Sequence, residues 1–68
     1  MKKPIPDYGT LMTLTEFTED CKLGCLINYD GYGYYSDGKT MTEILIRPSD
    51  VMSGRVNQKY THVVWFNR

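Results

Sequence analysis

The residues of this chain best suited to metal or redox chemistry are its two cysteines and its single histidine, Cys21, Cys25 and His62. A structural zinc site normally takes four ligands, so this set would need Asp20 or a water molecule as the fourth. No second cysteine pair is present, and thiols in such a setting more commonly pack in a core or at its rim. A Cys21–Cys25 disulfide is the remaining alternative. We expect reduced thiols and no metal or other cofactor.

A catalytic site is not indicated by the sequence. One histidine among scattered serines, threonines and carboxylates does not define a triad without a locating motif. No glycine-rich phosphate-binding pattern leads into a helix. A chain of 68 residues also encloses little volume for a deep pocket. We therefore expect that the protein is not an enzyme.

Length and charge narrow the class of protein further. The 68 residues allow one small domain of marginal stability, and eight basic residues balance eight acidic ones. General nucleic-acid binders and polybasic membrane-surface proteins show an excess of basic residues instead. No apolar run approaches the ~20 residues of a membrane-spanning helix, and the N terminus lacks the apolar core of a secretion signal. These features predict a soluble, cytoplasmic domain.

One short helix is predicted from Leu14 to Leu23. Thr13 and Glu16 have the spacing of a capping box, and Gly24 is well placed to end the helix in a left-handed conformation. The helix would have one apolar face, formed by Leu14, Phe17 and Cys21.

The rest of the chain has the composition of short strands and turns. Residues 1–7 contain two prolines and are expected to form an extended lead. The predicted elements after the helix are a strand at 25–29, an Asp30-Gly31 turn, a strand at 32–35, a turn at 36–39, a strand at 40–46, a helical turn at 50–52 capped by Ser49 and stopped by Gly54, and a strand from Tyr60 to Phe66. Both faces of the last strand are apolar, which indicates a central strand or a face that meets a partner. The predicted fold is α+β, a single domain over residues 1–68 with one short helix packed on a three- to four-stranded antiparallel sheet.

Tyrosine is the outstanding feature of the composition. Six of the nine aromatic residues are tyrosines, and four of the six lie between Tyr29 and Tyr35. Strand rims commonly carry such rings, so a structural role is one interpretation. The segment Asp30–Ser36 also resembles the base-stacking strand of cold-shock domains and RNA-recognition motifs. Asp30, however, stands where those motifs have a basic residue, and residues 44–47 replace an aromatic second motif, so nucleic-acid binding is the weaker interpretation.

The neutral total hides two halves of opposite charge. Six acids and one base lie between Asp7 and Asp37, whereas four bases and one acid lie between Ile46 and Arg68. A solvated acidic helix face is the ordinary explanation. The functional interpretation is an acidic, tyrosine-rich surface that docks on a basic protein. Its predicted anchors are Tyr32, Tyr34 and Tyr35, and its predicted steering charges are Glu16, Glu19, Asp20, Asp30 and Asp37.

The chain resembles small accessory proteins of tailed phages and prophages of enteric bacteria. The resemblance lies in four segments, Glu16–Cys21, Leu26–Tyr35, Arg47–Val51 and Tyr60–Arg68. The resemblance covers residues 13–68 and rests on motifs that look structural, so it implies no active site. It implies expression in the bacterial cytoplasm and binding to a host protein as an inhibitor or modulator. The sequence thus predicts a non-enzymatic protein-binding module. The alternatives are a single-stranded nucleic-acid binder that uses the same rings, and a homo-oligomer that forms through the C-terminal strand at Val63–Phe66.

Overall fold

The structure, a computed structural model, describes residues 2–24 and 31–67. Within these residues the elements are β1 (Lys3–Pro4), β2 (Thr10–Thr13), α1 (Leu14–Lys22), β3 (Gly31–Ser36), β4 (Thr40–Ile46), α2 (Pro48–Met52) and β5 (His62–Asn67). The strands form one antiparallel sheet in the order β1-β4-β3-β5-β2. The predicted α+β class is therefore confirmed, with α1 packed on the sheet.

Helix α1 begins at the predicted residue, Leu14, and ends at Lys22, one residue earlier than predicted, with Leu23 as its C-cap. The Thr13 hydroxyl accepts a hydrogen bond from the Glu16 backbone N–H at 3.1 Å, and the Glu16 carboxylate accepts one from the Thr13 N–H at 3.1 Å. These two bonds form the predicted capping box, which satisfies N–H groups that the first helical turn leaves free. After the helix, Gly24 has the expected positive φ of 84°. Leu14, Phe17 and Cys21 form the buried face.

The sheet has two distinct faces because side chains alternate along each strand. Val63 and Trp65 point toward α1, and the Trp65 ring lies 5.7 Å from the Phe17 ring. We call this side the helix face. Val64 and Phe66 point to the opposite side. The core on the helix face consists of Leu14, Phe17, Cys21, Tyr35, Ile46, Val51, Val63 and Trp65.

The second predicted hairpin is confirmed. The strand at 40–46 has its predicted bounds, and the turn before it is held by Asp37, whose carboxylate accepts hydrogen bonds from the Lys39 N–H at 2.9 Å and the Thr40 N–H at 3.0 Å. Gly38 has a φ of 100°, which glycine adopts without steric cost. The predicted strand at 25–29 and the Asp30 side of its turn lie outside the described residues.

Two strands were not predicted, and both lie near the N terminus. Lys3 and Pro4 pair with Met41 and Thr40 as an edge strand, so the supposed lead is part of the sheet. An edge position tolerates proline because only one side of the strand needs donors. At the opposite edge, β2 pairs with β5. These two strands explain why the described sheet has five strands and the prediction three to four.

The short helix α2 begins two residues earlier than predicted. Pro48 is its first residue and Arg47 the cap, so Ser49 does not cap it. The Asp50 carboxylate accepts a hydrogen bond from the Arg47 N–H at 3.0 Å and thereby closes the first turn. Proline is favoured at this position because its missing N–H would have no partner there anyway. Gly54 follows the helix with a φ of 76°, as expected for its stop.

The C-terminal strand is internal, as its two apolar faces predict. It spans His62–Asn67 and hydrogen-bonds to β3 on one side and to β2 on the other. A second copy cannot pair with β5 unless the sheet opens first. The predicted self-association requires a free strand edge at Val63–Phe66. No free edge is present there, because β5 has a paired strand on each side.

Residues 5–9, which we call the strap, connect β1 and β2 from one edge of the sheet to the other. A Cβ atom added to Gly9 would lie 2.7 Å from Val64 Cγ1 and 3.0 Å from Phe66 Cε1. The Tyr8 ring lies 5.4 Å from the Phe66 ring. The strap therefore crosses the side of the sheet opposite α1, which we call the strap face. It helps to bury Val64 completely there.

Candidate functional site: an aromatic groove on the strap face

Four aromatic rings meet on the strap face around Phe66. The centroid of the Phe66 ring lies 5.4 Å from Tyr8, 5.4 Å from Tyr32 and 6.0 Å from Tyr34. Tyr32 and Tyr34 are 5.6 Å apart in an edge-to-face arrangement with an interplanar angle of 83°. Such geometries are favourable for aromatic pairs. The Tyr8 ring is 82% exposed, so it lies at the outer edge of the cluster.

The registers of β3 and β5 bring these rings together. Tyr32 lies opposite Phe66, and Tyr34 lies opposite Val64 on β5 and Leu45 on β4. Alternation along β3 points Tyr32 and Tyr34 to the strap face. Tyr8 lies in the same cluster because it belongs to the strap, which crosses this face of the sheet.

The cluster forms the floor and one wall of a groove of about 300 Å³. Its lining residues are Lys3, Tyr8, Tyr32, Tyr34, Met41, Thr42, Glu43 and Phe66. The two charged residues form an ion pair, in which Lys3 Nζ lies 2.7 Å from Glu43 Oε1. This hydrogen bond and the opposite charge lower the pKa of Glu43 and raise that of Lys3. Chemically, the groove combines aromatic surface with a neutralised acid and base.

The structure separates Tyr35 from the other two predicted anchors. Tyr35 points to the helix face, is 3% exposed and stacks on Tyr60 at 5.2 Å. Its hydroxyl accepts a hydrogen bond from the Asn57 N–H at 2.8 Å, whereas Tyr32 and Tyr34 form no such bond within residues 2–24 and 31–67. The prediction that all three tyrosines share one binding surface is wrong, because neighbouring residues of a strand face opposite ways.

Among the described residues, the predicted acids of α1 do not lie around the tyrosines either. Glu16 is used in the capping box, and Glu19 and Asp20 lie on α1, across the sheet from Tyr32 and Tyr34. Asp30 lies outside the described residues.

Asp37, the last predicted steering charge, stabilises the β3–β4 turn through the hydrogen bonds that its carboxylate accepts. Its carboxylate forms a 2.8 Å ion pair with Lys2. The hydrogen bonds from Lys2, Thr40 and Lys39 hold the pKa of Asp37 well below its usual range.

Six residues of the groove are not among the site residues that the sequence predicts, namely Lys3, Tyr8, Met41, Thr42, Glu43 and Phe66. Glu43 and Phe66 had a usable signal, because strand alternation places Glu43 beside Leu45 and Phe66 beside Val64 on one face. Lys3 and Tyr8 had none, since only the path of β1 and the strap brings them to the groove.

Cys21 and His62 lie on opposite faces of the sheet. Cys21 is buried in the core of the helix face, and this burial, followed by the charge of Asp20, raises the pKa of its thiol to about 11. His62 lies on the strap face, with Nδ1 2.7 Å from the Thr61 hydroxyl. In residues 2–24 and 31–67, no group of three or more His, Cys, Asp or Glu side chains could hold a metal ion. Cys25 lies outside these residues.

Comparison with known family models, with characterised proteins and with solved structures gives no match for this chain. In the part of the chain that the structure describes, neither helix is long and apolar enough to cross a membrane.

Proposed function

We propose that the protein is a non-enzymatic protein-binding module and that the aromatic groove is its binding surface. The observation that carries the proposal is the placement of Tyr32 and Tyr34. Both are partly exposed, both lie against the buried Phe66 ring, and neither hydroxyl has a hydrogen-bond partner within residues 2–24 and 31–67. Tyrosines that combine fixed rings with free hydroxyls are frequent hot spots of protein interfaces.

The rigidity of the groove favours binding. Ordering a side chain at an interface costs about 0.5–1.5 kcal/mol, and rings that are already packed avoid much of that cost. Tyr32 and Tyr34 hold each other edge to face before any partner arrives. The acidic residues of α1, Glu19 and Asp20, would then act at long range and steer the encounter without touching the partner.

The biological setting of the proposal comes from sequence resemblance. We place the protein among phage or prophage accessory proteins in the bacterial cytoplasm, where it binds a host protein and inhibits or modulates it. The capture experiment below therefore uses a lysate of an enteric bacterium.

The proposal is tested by capturing a partner and then measuring its affinity directly. After identification and purification of the captured protein, titration calorimetry compares wild type with Tyr32→Ala and Tyr34→Ala. We expect each alanine variant to lose tenfold or more in affinity, which corresponds to about 1.4 kcal/mol. Tyr34→Phe separates the contribution of the hydroxyl from that of the ring.

The matched control is Glu19→Gln with Asp20→Asn, which changes only the helix face. This variant should slow association at low salt and leave the dissociation rate unchanged. Thermal melts verify that every variant is folded. Wild-type affinity in both folded alanine variants would refute the groove as the binding surface.

A second candidate function is binding of single-stranded nucleic acid. The observation in its favour is that Tyr32 and Phe66 lie side by side on neighbouring strands, an arrangement used to stack bases. The observation against it is that the groove's lysine, Lys3, is already paired with Glu43. A labelled oligonucleotide titrated at low and moderate salt decides the matter, because phosphate-driven binding weakens as salt rises. No binding at low salt would exclude this candidate.

A further inference from the structure

An ion pair between an ammonium and a carboxylate lies at the lining of the aromatic groove. Lys3 lines the groove from β1, and its Nζ atom lies 2.7 Å from the Glu43 carboxylate. The same groove is lined by the rings of Tyr8, Tyr32 and Tyr34. A carboxylate that already pairs with an ammonium group and several aromatic rings therefore line the same groove.

The orientation of the rings suits a cation. The Tyr34 ring plane is inclined by 83° to Tyr32 and by 72° to Phe66, whereas Tyr32 and Phe66 differ by only 31°. Rings in these two orientations form a floor and a wall. The faces of aromatic rings are electron-rich and attract ammonium groups within ~6 Å, and enclosure by several rings is the usual way to recognise alkylated ammonium.

We infer that the aromatic groove recognises an alkylammonium group, with Glu43 as its counter-ion, and that a lysine side chain of the protein partner supplies this group. The inference rests on the proposed function. In the free protein, Lys3 occupies the place of the partner's lysine.

Lys3 can be displaced from Glu43 at little energetic cost. It belongs to a strand of only two residues at the edge of the sheet, and the side chains of Lys3 and Glu43 are 56% and 60% exposed. Exposed ion pairs of this kind contribute little to stability. Exchange of one ammonium for another also leaves the charge of the groove unchanged. An anionic ligand would instead face the Glu43 carboxylate and the electron-rich ring faces.

Choline and its uncharged isostere 3,3-dimethylbutan-1-ol are the first probes. They have nearly the same shape, so the difference between them reports the positive charge. In NMR titrations we expect choline to shift the resonances of Tyr32, Tyr34 and Glu43 and to bind about threefold or more tightly than the alcohol. Capped lysine and capped norleucine form the corresponding pair for a protein side chain.

Three variants make the test specific. Lys3→Met removes the internal ammonium, so we expect it to bind choline several-fold more tightly than wild type. Lys2→Met is the matched control, because Lys2 pairs with Asp37 at the turn, and we expect no change in choline affinity. Glu43→Gln removes the counter-ion and should weaken binding. A merely structural role of Lys3 would not produce tighter binding when the residue is replaced.

The outcomes separate this inference from the proposed function. Equal binding of choline and the alcohol, or no gain in Lys3→Met, would overturn the ammonium site. If Tyr32→Ala still abolished partner binding in that case, the protein-binding function would stand without it. If choline bound as expected while capped lysine did not, the groove would recognise quaternary ammonium and the lysine assignment would be wrong.

Discussion

At the residue scale, identical side chains acquire different roles from their position along a strand. Tyr34 and Tyr35 are adjacent in the chain, yet one lines the aromatic groove and the other supports the core of the helix face. The hydroxyl of Tyr35 holds the loop at Asn57. The tyrosines that cluster in the sequence therefore lie on both faces of one strand. Alternation along β3 places Tyr34 in the groove and Tyr35 in the core.

Cys21 gives a prediction at the same scale. Its thiol is 1% exposed, and burial raises its pKa to about 11 from an ordinary value of 9.0. In a Cys25→Ser variant, which leaves Cys21 as the one thiol, we expect iodoacetamide to react slowly at pH 8 and rapidly in denaturant, because the reactive thiolate is both scarce and inaccessible in the fold. Equal rates in native and denatured protein would contradict the buried placement.

The same raised pKa predicts how stability depends on pH. The folded state favours the neutral thiol, so its stabilising contribution is present below pH 9 and is lost as pH rises from 9 toward 11. Urea denaturation at pH 7, 9 and 10.5 should show a smaller alkaline loss of stability in Cys21→Ala than in its Cys21-containing parent. Equal alkaline losses in the two proteins would contradict this linkage.

At the scale of elements, the strap determines whether the groove exists, because it carries Tyr8 and covers Val64. Its close approach depends on Gly9, where an added Cβ would lie 2.7 Å from Val64 Cγ1. We expect Gly9→Ala to lower the free energy of unfolding by about 1–3 kcal/mol, the usual cost of overpacking. Urea denaturation followed by circular dichroism measures the effect.

The control for the strap is a double-mutant cycle with Val64→Ala, which removes the atom that the new Cβ would meet. The cost of Gly9→Ala should be smaller in that background, since residues in contact do not behave additively. An unchanged midpoint in the single variant Gly9→Ala would show that the strap is not packed as described.

The elements also show what the sequence could predict. Helix α1 and the hairpin of β3 and β4 depend on signals within a few residues, such as the capping box of Thr13 and the turn at Asp37 and Gly38, and they were predicted. Strand β2 was missed because its partner lies far along the chain, as the pairing of Thr10 with Trp65 shows. For the same reason the sequence predicts Tyr32 and Tyr34 as site residues but does not predict that Tyr8 lies beside them in the groove.

At the scale of the whole molecule, the segregation of charge seen in the sequence is reduced by the fold. The N-terminal lysines fold back on acidic residues, and Lys2 pairs with Asp37 while Lys3 pairs with Glu43. These two ion pairs neutralise the charges of Asp37 and Glu43 in the hairpin of β3 and β4. The acidic residues Glu19 and Asp20 of α1 lie on the other side of the sheet from the aromatic groove.

The small size of the molecule makes its stability depend on a few buried side chains. Phe17 is fully buried and packs on Trp65. Its replacement by alanine should cost about 3–5 kcal/mol, which equals the total stability that a domain of this size can be expected to have. We expect Phe17→Ala to be unfolded at 25 °C by near-ultraviolet circular dichroism. Thr15→Ala, on the exposed side of the same helix, should remain folded; a folded Phe17→Ala would contradict the central position of this ring.

The pairing of β2 with β5 has a consequence for synthesis of the chain on the ribosome. In the described sheet β2 pairs with β5 alone, and Phe17 packs on a ring of that same strand. Residues 10–13 are therefore translated early but cannot pair with β5 until residues 62–67 have emerged. Helix α1 can contact α2 before then, but Phe17 still lacks Trp65. A nascent chain that stops before Trp65 exposes both the edge of β2 and the apolar face of α1, which makes interrupted translation products targets for proteases.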